Sequence, residues 1–146
     1  MNETTVTTPN ELEIRVEREF DAPREHVYRV YTDPVLIPEW WGENTTVEEM
    51  DLRPGGRWRF NTGYGVVEGE FREVSAPERL VQTFQNHLQT LEFEDLGGQT
   101  KLTQTMRFAT TEERDTTMQY GVEEGATSGF ARVDELLQRL PLDARG

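Results

Sequence analysis

Cysteine is absent from the 146 residues of this chain, and histidine occurs only twice, at His26 and His87. The lack of cysteine excludes disulfides, thiolate metal sites and cysteine nucleophiles together. It also fits a reducing compartment, so we expect a cytoplasmic protein. Because the two histidines are far apart and have no thiolate partners, the chain lacks the ligand spacing of a zinc site. We expect neither a metal nor another cofactor.

Long apolar runs and basic residues are also scarce. No stretch approaches the roughly 20 apolar residues of a membrane-spanning helix. The first five residues are polar and acidic, unlike a signal peptide. The sequence contains 15 lysines and arginines and 28 aspartates and glutamates, which gives a net charge of −13. Phosphate backbones and anionic lipids repel such a chain, so we expect no nucleic-acid partner and no membrane insertion.

Motifs of common enzyme classes are missing too. The sequence contains no G-x-S-x-G element, no P-loop and no dinucleotide fingerprint. An enzyme would need an acid or a base inside a cavity, and the candidates are Glu49, Asp51 and Tyr120. The sequence does not decide which of the two carboxylates faces inward, and the question of catalysis stays open.

What is present is a regular alternation of apolar and polar residues, which predicts seven strands. They cover residues 11–20, 45–52, 57–61, 66–74, 79–85, 88–94 and 101–108. Short turns separate the later strands, which predicts antiparallel pairing of neighbours. Two short helices, over 24–31 and between Asp33 and Gly42, follow the first strand. Residues 1–10 are interpreted as a loose lead-in.

The last third of the chain changes to helical spacing. Thr110 and Glu113 form a capping-box pattern, and apolar residues then recur with helical period up to Leu140. This predicts one helix about 40 Å long, enough to cross the whole sheet. We therefore predict a single α+β domain over residues 11–140, with a tail at 141–146.

Glycines at positions 121, 125 and 129 lie on one stripe of the predicted helix. Each costs about 1 kcal/mol relative to alanine inside a helix, so the stripe is expected to have a use. Either the helix approaches the sheet very closely, or the glycines leave an open space beside it. Close packing is the more general cause and is the favoured interpretation.

The inward faces of a curved sheet converge, and their side chains can line an apolar cavity. The residues expected to line it are Trp40, Trp41, Phe60, Phe71, Gln82, Phe84, Gln104, Met106, Met118, Val122, Gly125 and Gly129. For each aromatic residue an ordinary core position is the alternative. Gln82 and Gln104 stand on otherwise apolar faces, where an inward amide must bond another amide, a buried water or a ligand.

Several ordered motifs give the chain a family resemblance. The run from Arg18 to Pro23, then Val27-Tyr28, Thr32-Asp33-Pro34 and Trp40-Trp41-Gly42, resembles the start of a bacterial family. That family is named for homologues of the activator of the heat-shock-chaperone ATPase and belongs to the START-like (SRPBCC, polyketide-cyclase-like) superfamily. Segments 50–58, 69–74, 77–80 and 121–137 extend the resemblance, which covers residues 12–140.

The resemblance implies a helix-grip fold, in which a curved antiparallel sheet of seven strands wraps a long C-terminal helix and encloses a cavity. Members of the wider superfamily bind lipids, polyketides or hormones, and some act as cyclases or aromatases. The resemblance supplies no catalytic residue that could be transferred to this chain.

These observations favour binding of a small hydrophobic molecule in a cavity between the sheet and the C-terminal helix. One alternative is a cyclase- or hydrolase-like enzyme that acts on an apolar substrate in the same cavity. Another is a protein-interaction or chaperone-associated domain that uses the acidic surface. The identity of the ligand and the formation of a homodimer are left open.

Overall fold

The computed structural model describes residues 3–42, 44–85 and 87–140 and consists of one antiparallel sheet and four helices. The strands are Thr5–Asn10 (β1), Glu13–Phe20 (β2), Thr46–Met50 (β3), Arg57–Asn61 (β4), Val66–Ser75 (β5), Arg79–Phe84 (β6), His87–Asp95 (β7) and Thr100–Phe108 (β8). The helices are Arg24–Thr32 (α1), Ile37–Trp41 (α2), Thr111–Gln119 (α3) and Val122–Arg139 (α4). The strand order is β1-β2-β8-β7-β6-β5-β4-β3.

The predicted α+β class and helix-grip arrangement are confirmed, with one more strand than the seven predicted. Residues 5–10, interpreted as a loose lead-in, form β1 and pair with β2, so that Val6 lies opposite Val16. β1 is an exposed edge strand whose threonines favour extended backbone but give no alternation of apolar residues. The predicted tail, 141–146, lies outside the described residues.

The single long helix predicted for the C-terminal third is divided into α3 and α4. Gly121 lies between them with a φ of +86°, a left-handed conformation that glycine adopts without strain. α4 has 18 residues and is therefore about 27 Å long, shorter than predicted. Thr110 caps the start of α3 as predicted, because its hydroxyl accepts the Glu113 backbone N–H at 3.1 Å.

α4 is attached to the sheet from its midpoint onward. Phe130, Val133 and Leu136 are buried there, and the Phe130 ring meets Phe20 of β2 edge-on at 5.6 Å. Asp134 accepts two hydrogen bonds from the buried Arg18 of β2, one of them from Nη1 to Oδ1 at 3.1 Å. This bidentate ion pair and the apolar contacts fix the position of the helix over one end of the sheet.

A close approach of two strands positions Trp58 on the concave face. The indole Nε1 of Trp58 donates to the backbone carbonyl of Thr83 at 3.1 Å. The indole ring lies over Gly69 of β5 in this arrangement. A Cβ added at Gly69 would lie 1.9 Å from that carbonyl oxygen and 2.7 Å from the indole nitrogen. The position therefore has no room for a side chain.

We predict that Gly69→Ala destabilises the protein by about 1–3 kcal/mol, because the added methyl forces the two strands or the indole apart. Urea unfolding followed by tryptophan fluorescence measures the change. Gly129→Ala in α4 is the matched control, since its methyl meets nothing within 4 Å and alanine favours a helix by about 1 kcal/mol. Equal stabilities of Gly69→Ala and the parent protein would show that the approach is not tight.

Candidate functional site

A cavity of about 370 Å³ lies between the concave face of the sheet, α2 and the N-terminal half of α4. Its lining comes from strands β2 to β8, with the two tryptophans of α2 and the first two turns of α4 on the other side. Aromatic and aliphatic side chains dominate this lining, and the amides of three glutamines interrupt it.

Eleven of the twelve side chains or glycines expected at a cavity surround this one. They are Trp40, Trp41, Phe60, Phe71, Gln82, Phe84, Gln104, Met106, Val122, Gly125 and Gly129. Met118 is not part of the lining. It belongs to α3, and the break at Gly121 removes it from the face that it would share with Val122 in a continuous helix.

The glycine stripe borders open space, so the favoured interpretation of close packing was wrong. A Cβ added at Gly125 or Gly129 would meet no heavy atom within 4 Å. Both positions lie in the half of α4 that precedes its buried contacts, and both line the cavity. The helix therefore leaves open space at these two positions, while the side chains of Val122, Ala126 and Phe130 form the rest of its cavity face.

The adjacent tryptophans of α2 make different contacts, although both are half-buried and line the cavity. The ring of Trp41 stacks on that of Phe84, with 5.7 Å between the ring centroids, and meets the Phe60 ring edge-on, with 5.3 Å between the centroids. Trp40 packs on Tyr31 at 4.8 Å, and its Nε1 donates to the backbone carbonyl of Val30 at 2.9 Å. The pair thus joins the helical side of the cavity to the aromatic residues of the sheet.

The family of the chain follows from comparison with known proteins. The family described as activator of Hsp90 ATPase homolog 1-like protein matches residues 21–138. The chain belongs to this family. No curated protein matches it.

Solved structures show the same fold. A protein from Rhodobacter sphaeroides has a TM-score of 0.86 and 22% identity, over 95% of this chain and 100% of its own. A protein from Mycobacterium smegmatis has a TM-score of 0.82 and 26% identity, and the match covers 92% of this chain and 98% of the other. The solution structure of a protein from Arthrobacter aurescens has a TM-score of 0.79 and 23% identity, and the match covers 96% of this chain and 94% of the other. The resemblance read from the sequence motifs is thereby confirmed.

The residues suggested for catalysis in this family member lie away from the cavity. Glu49 is exposed, Asp51 pairs with Arg53 at 2.8 Å, and Tyr120 is 86% exposed. Within the described part of the chain, no carboxylate lines the cavity, and no three histidine, aspartate or glutamate side chains could together hold a metal ion. No helix in that part is long and apolar enough to cross a membrane.

Ten lining residues were not among those expected at the cavity: Val16, Tyr31, Ile37, Met50, Trp58, His87, Gln89, Leu91, Ala126 and Phe130. Gln89 alternates with Leu91 and Phe93 along β7, and this alternation was the available signal. Gln82 bonds to Gln89, with Nε2 donating to Oε1 at 3.2 Å, and not to Gln104.

Two ionisable groups, His87 and Tyr31, line the cavity. The ring of His87 lies against Phe84 at 5.2 Å and Phe108 at 4.9 Å, and burial lowers its pKa from 6.5 to about 4. Burial raises the pKa of Tyr31 above its ordinary value. Its hydroxyl is buried and has no hydrogen-bond partner among the described residues. Both side chains are therefore uncharged near neutral pH.

We predict that His87 makes stability fall as the pH drops from about 6.5 to about 4. The unfolded chain takes up the proton first, because the pKa of His87 is lower in the folded protein. His87→Phe removes this contribution and makes the decline shallower by at most about 1.4 kcal/mol per pH unit. Urea unfolding at several pH values measures both slopes.

The carboxylates titrate in the same range, but they contribute equally to both proteins and cancel in the comparison. His87→Gln is the second variant and should match His87→Phe in slope, since neither side chain titrates. Parallel curves for the parent protein and both variants would contradict the burial of a neutral imidazole.

Proposed function

We propose that this protein binds a small hydrophobic molecule in the cavity between the sheet and α4. The observation that carries the proposal is the unfilled space beside Gly125 and Gly129. Protein interiors are normally packed to crystal-like density and contain few voids larger than a water molecule. A cavity of about 370 Å³ beside two costly helix glycines is therefore a feature with a use.

The size and chemistry of the cavity support this function. Ligand sites typically enclose about 300–1,000 Å³ and are lined by apolar and aromatic groups with a few polar ones. The cavity has the volume of a small ligand, and Trp41, Phe60 and Phe84 offer aromatic faces and edges to it. A ligand with flat apolar surfaces would gain most from these contacts.

Binding is favoured over the enzymatic alternative because the cavity offers little acid–base chemistry. His87 is a weak base with its pKa near 4, and the burial of Tyr31 keeps its phenol protonated. The candidate carboxylates, Glu49 and Asp51, lie outside the lining. No specific contact favours the protein-interaction alternative.

The uncharged fluorescent probe N-phenyl-1-naphthylamine tests the proposal, since its emission rises when it enters an apolar site. We expect saturable binding of one probe per chain, with displacement by members of a panel of lipids and polyketides. Gly129→Leu should weaken probe binding at least tenfold, because the leucine side chain fills the space that the glycine leaves open.

Thr127→Leu is the matched control, since it places the same side chain on the exposed face of the same helix and should leave probe binding unchanged. Urea unfolding should show that both variants remain folded, and Gly125→Leu is the replacement if Gly129→Leu does not fold. Absence of saturable binding, or equal binding by the two leucine variants, would contradict the proposed function.

A further inference from the structure

Three glutamines form a polar strip on the apolar floor of the cavity, and we call Gln82, Gln89 and Gln104 the amide patch. Gln82 of β6 lies directly opposite Gln89 of β7. Gln104 of β8 lies opposite Leu91, which is two residues further along β7. Two residues along a strand span about 7 Å, so the three amides occupy adjacent rows of the sheet.

Most of the hydrogen-bonding capacity of the amide patch is unused by the protein. Each side-chain amide carries two N–H donors and a carbonyl oxygen with two lone pairs. Within the described residues, the one hydrogen bond of these three side chains joins Gln82 to Gln89. All three side chains are half-buried and line the cavity. A bound polar group can therefore supply hydrogen-bond partners that the protein itself does not provide.

A further donor lies on α1, where the ring of Tyr31 meets Phe93 of β7 edge-on with 5.9 Å between the ring centroids. Tyr31 of α1 is 9% exposed, and its buried hydroxyl has no hydrogen-bond partner among the described residues. The nearby charges of Arg18 and Asp134 are directed at each other in their bidentate pair. Tyr31 therefore brings to the lining a side chain whose buried hydroxyl is unpaired among the described residues.

None of the described residues that line the cavity carries a formal charge near neutral pH. Among the described lining residues, Tyr31 and His87 alone titrate, and both are neutral there. An anion moved from water into such a cavity would lose its hydration without gaining a cationic partner, at a cost of several kcal/mol. An uncharged polar group loses less, and the amides can replace its hydrogen bonds.

We propose, on the basis of the binding function above, that the amide patch recognises the polar group of an uncharged ligand. This group both donates and accepts hydrogen bonds, as a carboxamide or a hydroxyl does, and the remainder of the ligand is apolar. The cavity selects against carboxylates of the same shape, so simple fatty-acid anions are not its ligands.

Three naphthalene derivatives of nearly equal shape separate charge from polarity: naphthalene, 2-naphthamide and 2-naphthoate. Their affinities are measured at pH 7.5 by displacement of N-phenyl-1-naphthylamine from the full chain. We expect 2-naphthamide to bind at least tenfold more tightly than 2-naphthoate, because the amide is uncharged and both donates and accepts hydrogen bonds, whereas the carboxylate is charged and only accepts them.

The variants Gln104→Met and Gln82→Met assign the effect to the amide patch, since methionine keeps the length of glutamine without its polar atoms. Each should weaken binding of 2-naphthamide about three- to tenfold, the worth of one hydrogen bond, and leave naphthalene unaffected. Gln138→Met, at an exposed position of α4, is the control and should change neither affinity.

Equal or tighter binding of 2-naphthoate would overturn the inference. So would equal losses of affinity for naphthalene and 2-naphthamide in both patch variants. Binding of 2-naphthoate at pH 5 together with protonation of His87 would also overturn it. If naphthalene binds without such discrimination, the amide patch fails as a recognition site while the binding function stands. If no derivative displaces the probe and the probe itself does not bind, the binding function fails and this inference fails with it.

Discussion

Attachment of α4 at one half only is the constraint on which the remaining structure depends. Arg18 and Asp134 join β2 to the helix through paired hydrogen bonds, and the rings of Phe20 and Phe130 pack beside them. The Cζ atom of Arg18 also lies 4.8 Å from the centroid of the Phe20 ring, which is a cation–π contact. Before these contacts, the first two turns of α4 carry Gly125 and Gly129, where an added Cβ would meet no heavy atom within 4 Å. Removal of either charged partner would leave the other in a poorly hydrated position.

The opposite side of the cavity is held open by the sheet. The Trp58 indole is fixed over Gly69 by the Thr83 carbonyl, and Trp41 of α2 stacks on Phe84. These contacts hold the aromatic side chains in place on the sheet side of the cavity. The cavity thus lies between this aromatic surface and the glycine-bearing turns of α4.

The strands and the direction of their side chains could be predicted from the sequence, because alternation determines which residues share a face. Gln82, Gln104, Phe60 and Met106 were expected on inward faces for this reason, and the structure places all four in the cavity lining. Alternation fails where both faces of a strand are polar, as in β1, whose pairing depends on the neighbouring strand β2.

Glycine in a helix was the least informative signal. Glycines at 121, 125 and 129 fit a close contact, an open space or a helix end equally well. In the structure Gly121 lies at a helix end, and Gly125 and Gly129 border open space. Which one applies depends on the position of the sheet, which local sequence does not specify. The same dependence on tertiary position hid His87, whose place at the start of β7 beside Phe84 and Phe108 brings it to the cavity.

The most direct test of the central claim is a crystal structure of the protein pressurised with xenon, because apolar cavities that stay dry bind xenon. We expect xenon between the backbone of Gly129 and the rings of Trp41 and Phe84, with α4 still joined to β2 through Arg18 and Asp134. A first half of α4 packed directly on the sheet, with no xenon at that position, would contradict the open cavity.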